Sequence, residues 1–354
     1  MVGVALVFGL QLGSGCNSSA EGPEGRRIAA PRPGLWISRE EVRGLPMSGA
    51  AWEALVAQAR LPADRADLAN QDDPSNVRIL ARALYFARTG DPVAALEVER
   101  ACEQIQGTET KSDALAVSRE LMTYVIAADL IGLDGGARAR FERWLRSVSR
   151  RSFRGRTLAE THEERPNNWG THAGATRIAI AAYLGDVAEL ERAAHVFRGW
   201  TGERDGWQGF RFGAEDWQPG EGRRFAVNPR GAVRAGHDLG GVLPDDQRRS
   251  GPLRWPPPKE NYVYEALQGA IAQAVLLERL GFDAWSWGDR ALLRAFEWLH
   301  DEADFPATGD DTWLPHVVNR AYGATFPAPI PARPGKAIGF TDWTHAPAAE
   351  REPR

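Results

Sequence analysis

The chain offers little sulfur chemistry. Two of its 354 residues are cysteine, Cys16 and Cys102, and three are methionine. A chain of this length buries a full core without a disulfide scaffold. Cys16 falls in an N-terminal segment read as lying outside the fold, so no structural disulfide is expected. A basic excess is also lacking: 43 Lys and Arg stand against 47 Asp and Glu, a formal net charge of -4. That argues against a general nucleic-acid binder, and any polyanion the chain handles must meet a local basic patch. His172, His237 and His316 fall in no HExxH or CxxC spacing, so neither a metal nor another cofactor is expected. Alternating strand patterns of useful length are missing too, which leaves an all-α fold.

The one conspicuous apolar run, Val2 to Leu12, is too short to be a comfortable membrane span. Small residues, Cys16 and a polar stretch follow it, the shape of an export signal. Gly13-Ser14-Gly15-Cys16 resembles a bacterial lipoprotein signal, in which the cysteine carries the lipid anchor. The expectation is an exported protein, periplasmic, outer-membrane-anchored or secreted. Residues 1–16 read as signal, 17–34 as a Pro/Gly-rich linker and 35–354 as a single domain, expected to act as a monomer.

What is abundant is helical punctuation. Gly90, Gly132, Gly185 and Gly281 each close an apolar-periodic segment, with an aspartate close behind. Glycine suits the left-handed position just past a helix, so each site reads as the corner of a helical hairpin. The spacings are 42 (90 to 132), 53 (132 to 185) and 96 (185 to 281). Hairpins recurring at such intervals bury their faces on one another, as an open solenoid or a ring around a cleft. Residues 200–260 break the pattern with Gly, Pro, Trp and Arg, and residues 304–345 read as a second Trp/Pro-rich stretch. Long irregular excursions of this kind are usually functional or disordered, and the aromatic content argues against disorder.

Two loci could carry chemistry. In "RPNNWGTHAGATR", residues 165–177, Asn167 suits a helix cap, and Asn168 and His172 then share one face four residues apart. The pair is equally compatible with a cap and a packed ring. In "PPPKENYVYEALQGAIAQAVLLERLG", Tyr262 and Tyr264 point roughly 200° apart on a helix. Tyr264 continues into the apolar stripe Leu267, Ile271, Val275 and reads as core. Tyr262 continues into Glu265, Ala266, Gly269 and Gln273, and is the better candidate for chemistry. Between the loci, residues 221–260 hold eight basic against five acidic side chains, interleaved with Phe225, His237 and Trp255 and preceded by Trp217. Guanidinium for carboxylate and aromatic ring for sugar face suit an anionic carbohydrate.

With both loci in view, the sequence resembles the alginate-lyase-type polysaccharide lyases. "NNWGTHAGATRIAIAAYLGD" is similar to that family's Asn-Asn-His segment, and "NYVYEALQGAIAQAVLLERLGFDAW" to its tyrosine-bearing helix. The resemblance implies an (α/α) toroid, an incomplete barrel of about five to seven helical hairpins. It also implies β-elimination at a 4-linked uronic acid in an alginate- or glucuronan-like acidic polysaccharide.

By position, Asn168 would neutralise the carboxylate and Tyr262 would be the catalytic tyrosine. Asn167, Trp169, Arg234, Arg254, Trp255 and Lys259 are the accompanying substrate-binding candidates. Trp169 stands where the relatives carry histidine, so His172 or His237 would take the C5 proton. The family's arginine ahead of its tyrosine has its nearest counterpart in Arg254. Two competing readings remain. One is a glycoside hydrolase on the same toroid, drawing on Glu163, Glu164, Glu215, Asp216, Asp310 or Asp311. The other is a non-catalytic lipoprotein that binds acidic polysaccharide.

Overall fold

The computed structural model describes residues 29–62, 66–213 and 215–346; Cys16 and the expected export signal lie outside them. Helices are laid down in alternating outer and inner pairs. α1 (Arg39–Arg43) is followed by α2 (Ala50–Arg60), α3 (Ser75–Thr89), α4 (Pro92–Gln104), α5 (Ala114–Ile131) and α6 (Gly135–Arg150). Next come α7 (Leu158–Glu164), α8 (Asn168–Leu184), α9 (Val187–Trp200), α10 (Pro244–Gln247), α11 (Asn261–Arg279), α12 (Trp287–Asp301), α13 (Leu314–Tyr322) and α14 (Thr341–Thr344). A two-stranded antiparallel ribbon, β1 (Val233–Arg234) with β2 (His237–Asp238), is the only paired strand element among the described residues. None of the described helices is long and apolar enough to cross a membrane.

The Gly-Asp corners explain the alternation. Gly90, Gly132 and Gly185 cap α3, α5 and α8 in the left-handed conformation, with φ of 77°, 61° and 68°. Asp91 and Asp186 then cap the next helices, their side chains accepting from the N–H groups of Val93 and Glu189. One glycine ends a helix and one aspartate starts the next, so the chain turns back within two residues. Gly281 keeps its positive φ but stands one residue beyond the α11 cap, Leu280.

α3, α5, α8, α11 and α13 pack side by side as an inner wall, and α2, α4, α6, α9 and α12 form an outer layer. α5, α8 and α11 are buried almost all round, as inner-wall helices must be. Five outer–inner pairs are present among the described residues, at the lower end of the expected range. Because each outer helix carries the chain back, the N-termini of the inner helices gather at one end of the ring.

Two stretches differ from the sequence reading. The 304–345 segment contains α13, whose nine residues between Trp313 and Gly323 are too few for periodicity to stand out beside the prolines. It also closes the ring: Trp343 packs 5.2 Å from Trp52, and Trp36 lies 6.4 Å from Trp313. The end of the supposed linker is docked as well. Arg32 donates its N–H to the Arg279 carbonyl and pairs with Glu278 at 2.7 Å. The buried Arg279 guanidinium in turn binds the carbonyls of Pro33 and Gly34.

Candidate active site

In the inner wall α8 and α11 approach each other closely, and glycines permit it. A Cβ on Gly269 would fall 2.5 Å from the His172 nitrogen; one on Gly174 would fall 2.5 Å from both Gln273 Oε1 and His162 Nε2. Gln273 Nε2 donates to the Thr171 carbonyl at 2.9 Å. The Glu265–Gly269–Gln273 face of α11 therefore lies on α8, and the helices run parallel. Tyr262 sits two turns before Gly269 on that face, at the helix mouth. Counting back from the Gly269–His172 contact at 1.5 Å per residue, with axes 8–10 Å apart, puts Tyr262 and Asn168 about 10 Å apart at the backbone. Tyr262 is 40% exposed, while Tyr264 is buried with its hydroxyl donating to the Phe305 carbonyl at 2.6 Å.

The Asn-Asn pair is arranged differently from a simple cap. Asn167 occupies the N-cap position of α8, yet its side chain makes no capping bond. Asp246 of α10 does that work, with Oδ1 accepting from the Asn168 N–H at 3.1 Å. Burial pushes the Asp246 carboxyl well above its usual range, against the pull of that N–H. Asn168 is fully buried, and neither its Nδ2 nor its Oδ1 has a hydrogen-bond partner. A buried polar group without a partner calls for an explanation in a folded protein, and a ligand that it meets is one.

His172 lies one turn deeper, 1% exposed, with Nε2 also unpartnered. Burial holds its imidazole neutral, well below the ordinary histidine range; the Arg119 guanidinium adds to this and a bond with the Glu265 backbone opposes it. Arg119 and Glu265 themselves form a buried ion pair.

Positive charge gathers over this mouth. Arg249, three residues after Asp246, lies against the Tyr262 ring, 3.9 Å from its centroid. Arg165 lies over Trp169 at 5.9 Å. Burial and then the neighbouring guanidinium of Arg156 depress the Arg165 pKa, with Arg211 and Arg248 adding to the effect. Among the described residues no carboxylate forms an ion pair with Arg165 or Arg249. The short segment 246–249 thus bridges the starts of α8 and α11, holding one through Asp246 and covering the other with Arg249.

The alginate lyase family model matches residues 94–206, from α4 through α9 and including the Asn-Asn segment. The fold is similar to that of alginate lyase A1-III from Sphingomonas species A1. At 14% identity the alignment covers 90% of this chain and 86% of that one, with a TM-score of 0.53. Over residues 94–206 by family model, and in its fold, the chain is similar to the alginate-lyase type. A histidine-to-alanine variant of alginate lyase A1-III complexed with a tetrasaccharide matches over 98% of this chain and 89% of that one, with 14% identity and a TM-score of 0.51. No curated protein matches by sequence.

Other residues proposed from the sequence are held elsewhere in the chain. His237 stacks on Trp255 with centroids 4.1 Å apart and planes 5° apart. Arg234 binds the carbonyls of Glu215 and Gln218, and Lys259 pairs with Asp304 at 3.1 Å. Arg254 is exposed without an ion pair among the described residues. No hydrogen bond, ion pair or ring contact among the described residues ties these five side chains to Asn168, His172 or Tyr262.

Arg249, not Arg254, is the arginine beside the tyrosine. The signal for it was present in "LPDDQRRS", where proline and then two aspartates mark the start of a short helix, Pro244–Gln247, and Arg249 lies in the tight turn directly after it.

The carboxylates considered for hydrolysis are largely committed. Glu163 pairs with Arg177 and Arg192, Glu164 with Arg156 and Arg211, and Glu215 with Arg224. Asp311 is buried and accepts from Gln268 Nε2 at 2.9 Å, and burial raises its carboxyl from 3.8 to about 7. An acid whose pKa rises on folding contributes stability that is present below its unfolded pKa and lost as pH climbs through the folded value. Asp311→Asn is therefore expected to match the parent near pH 4 and to exceed it above about pH 7. The gap should be on the order of 3–4 kcal/mol, read from urea unfolding at each pH. A gap that does not change with pH would contradict the assignment.

Proposed function

We propose that this protein cleaves a 4-linked polyuronate by β-elimination at the mouth formed by α8, α10 and α11. The observation that carries the reading is the Arg249 guanidinium against exposed Tyr262, above an Asn168 amide that is buried and unpartnered.

Elimination requires the C5 hydrogen to leave as a proton, and C5 is weakly acidic while the adjacent carboxylate keeps its full charge. A donor amide and guanidinium groups on that carboxylate spread the negative charge that develops when the C5–H bond breaks. Asn168, with Arg249 and Arg165, fills this role. The C5–H electrons form the C4=C5 double bond, the C4–O4 bond breaks, and O4 takes a proton. Tyr262 is the exposed acid–base side chain at the mouth: its phenolate oxygen takes the C5 proton and, as the phenol, hands a proton to O4 as the C4–O4 bond breaks. His172 lies enclosed and neutral one turn below Asn168. Trp169 under Arg165 offers a flat surface to a neighbouring sugar.

The test is incubation of the purified protein with alginate, its mannuronate and guluronate blocks, glucuronan and hyaluronan. A lyase leaves a conjugated double bond, so near-ultraviolet absorbance rises with at least one polymer. A hydrolase or a binding protein gives no rise with any of them.

A further inference from the structure

We infer that the outer face of α6 is a second, non-catalytic binding surface for the anionic polysaccharide chain, an inference that rests on the polyuronate reading above. α6 and the residue after it carry Arg138, Arg140, Arg143, Arg146, Arg150 and Arg151. Three of these are spoken for: Arg138 pairs with Glu142 at 2.7 Å, Arg151 with Glu109 at 2.6 Å, and Arg140 with Glu103. Arg143, Arg146 and Arg150 are exposed, and no carboxylate among the described residues pairs with them. Their spacing of three and four residues puts them on one face, a line about 10 Å long.

Two depressions meet along that line. The larger, about 490 Å³, is lined by Arg143, Arg146, Ser147, Arg150 and Arg151. The other, about 240 Å³, runs from Arg146 and Arg150 to Leu158, Ile180 and the buried Arg177. Arg177 is fixed by Glu163 and Glu189, yet its Nη2 is buried without a hydrogen-bond partner. A guanidinium row beside an apolar floor suits a uronate, whose carboxylate and C–H face need different partners.

The row also leads towards the active-site mouth. Beyond Arg151, Arg154 comes within 3.9 Å of Asp113 at the start of α5, and Arg156 reaches Glu164, next to Arg165. Arg156 is also, after burial, the largest influence on Arg165. A polymer threading the mouth can therefore follow positive charge over the rim and down the outer wall. A membrane is the weaker fit, because none of the exposed large apolar side chains belongs to α6.

The experiment compares the parent with R143Q/R146Q/R150Q, using sodium alginate or whichever polyuronate the parent cleaves, and a tetrasaccharide of the same sugar. For the polymer, KM is expected to rise about tenfold as the second point of attachment is lost, and its dependence on salt to flatten. For the tetrasaccharide, kcat and KM should stay within about twofold, since the three side chains lie outside the mouth. No change with either substrate, or an equal change with both, overturns the inference.

Retention on immobilised alginate reads the α6 surface independently of turnover. If no polymer is cleaved but the triple variant elutes earlier than the parent, the lyase reading fails and the α6 surface stands. Equal retention of the two proteins, with sedimentation on phosphatidylglycerol vesicles lost only in the variant, would assign the surface to a membrane and overturn the proposal.

Discussion

A Tyr262→Phe variant is expected to form unsaturated product about 10²- to 10⁴-fold more slowly than the parent, the usual worth of a positioned proton-transfer group. The change removes one oxygen and keeps the ring beneath Arg249. The Tyr262 hydroxyl makes no hydrogen bond among the described residues, and the side chain is 40% exposed, so thermal unfolding should be unaltered. Tyr264→Phe provides the contrast. Its hydroxyl is bonded to the Phe305 carbonyl in the core, and losing that bond should lower stability by about 1 kcal/mol while leaving kcat unchanged. Full activity in Tyr262→Phe would remove the tyrosine from the mechanism, whereas a reversed pattern would exchange the two roles. Initial rates at near-ultraviolet wavelengths, with melting curves on the same samples, separate the outcomes.

The division of labour between these tyrosines was legible because it depends on helix periodicity alone: a step of two residues sends them to opposite faces, one apolar and one small and polar. The hairpin corners were legible for a similar reason, since Gly90-Asp91 and Gly185-Asp186 do their capping within the turn they occupy. What could not be read depends on distant segments meeting. Trp52 and Trp343 close the ring across 291 positions (52 to 343), and nothing local to either marks the other as its partner. Arg249 reaches Tyr262 only because Asp246, three residues earlier, pins the short 244–250 segment to the start of α8; by chain distance Arg254 is nearer to the tyrosine. Depth was hidden as well. α8 is so rich in alanine and glycine that it offers no polar face, and its burial on every side puts His172 beneath the mouth where the four-residue spacing alone suggested a second group facing the cleft.

Asn168→Leu tests whether the buried amide is retained for chemistry or for the fold, because the two roles predict opposite changes. An unpartnered buried amide costs a fold about 1–3 kcal/mol in lost hydration. Leucine is close in size and needs no partner, while the N–H of residue 168 donates to the Asp246 carboxylate from its backbone alone and keeps that bond after the change. The variant is expected to unfold at a higher denaturant concentration than the parent. It should also lose on the order of 10²- to 10³-fold in kcat, as when a single charge-stabilising donor is removed from a transition state. A variant both less stable and fully active would make Asn168 a structural residue and remove the carboxylate-neutralising donor from the proposed reaction. A gain in stability at the expense of turnover is the signature of a polar group kept in an unfavourable place for the substrate it meets there.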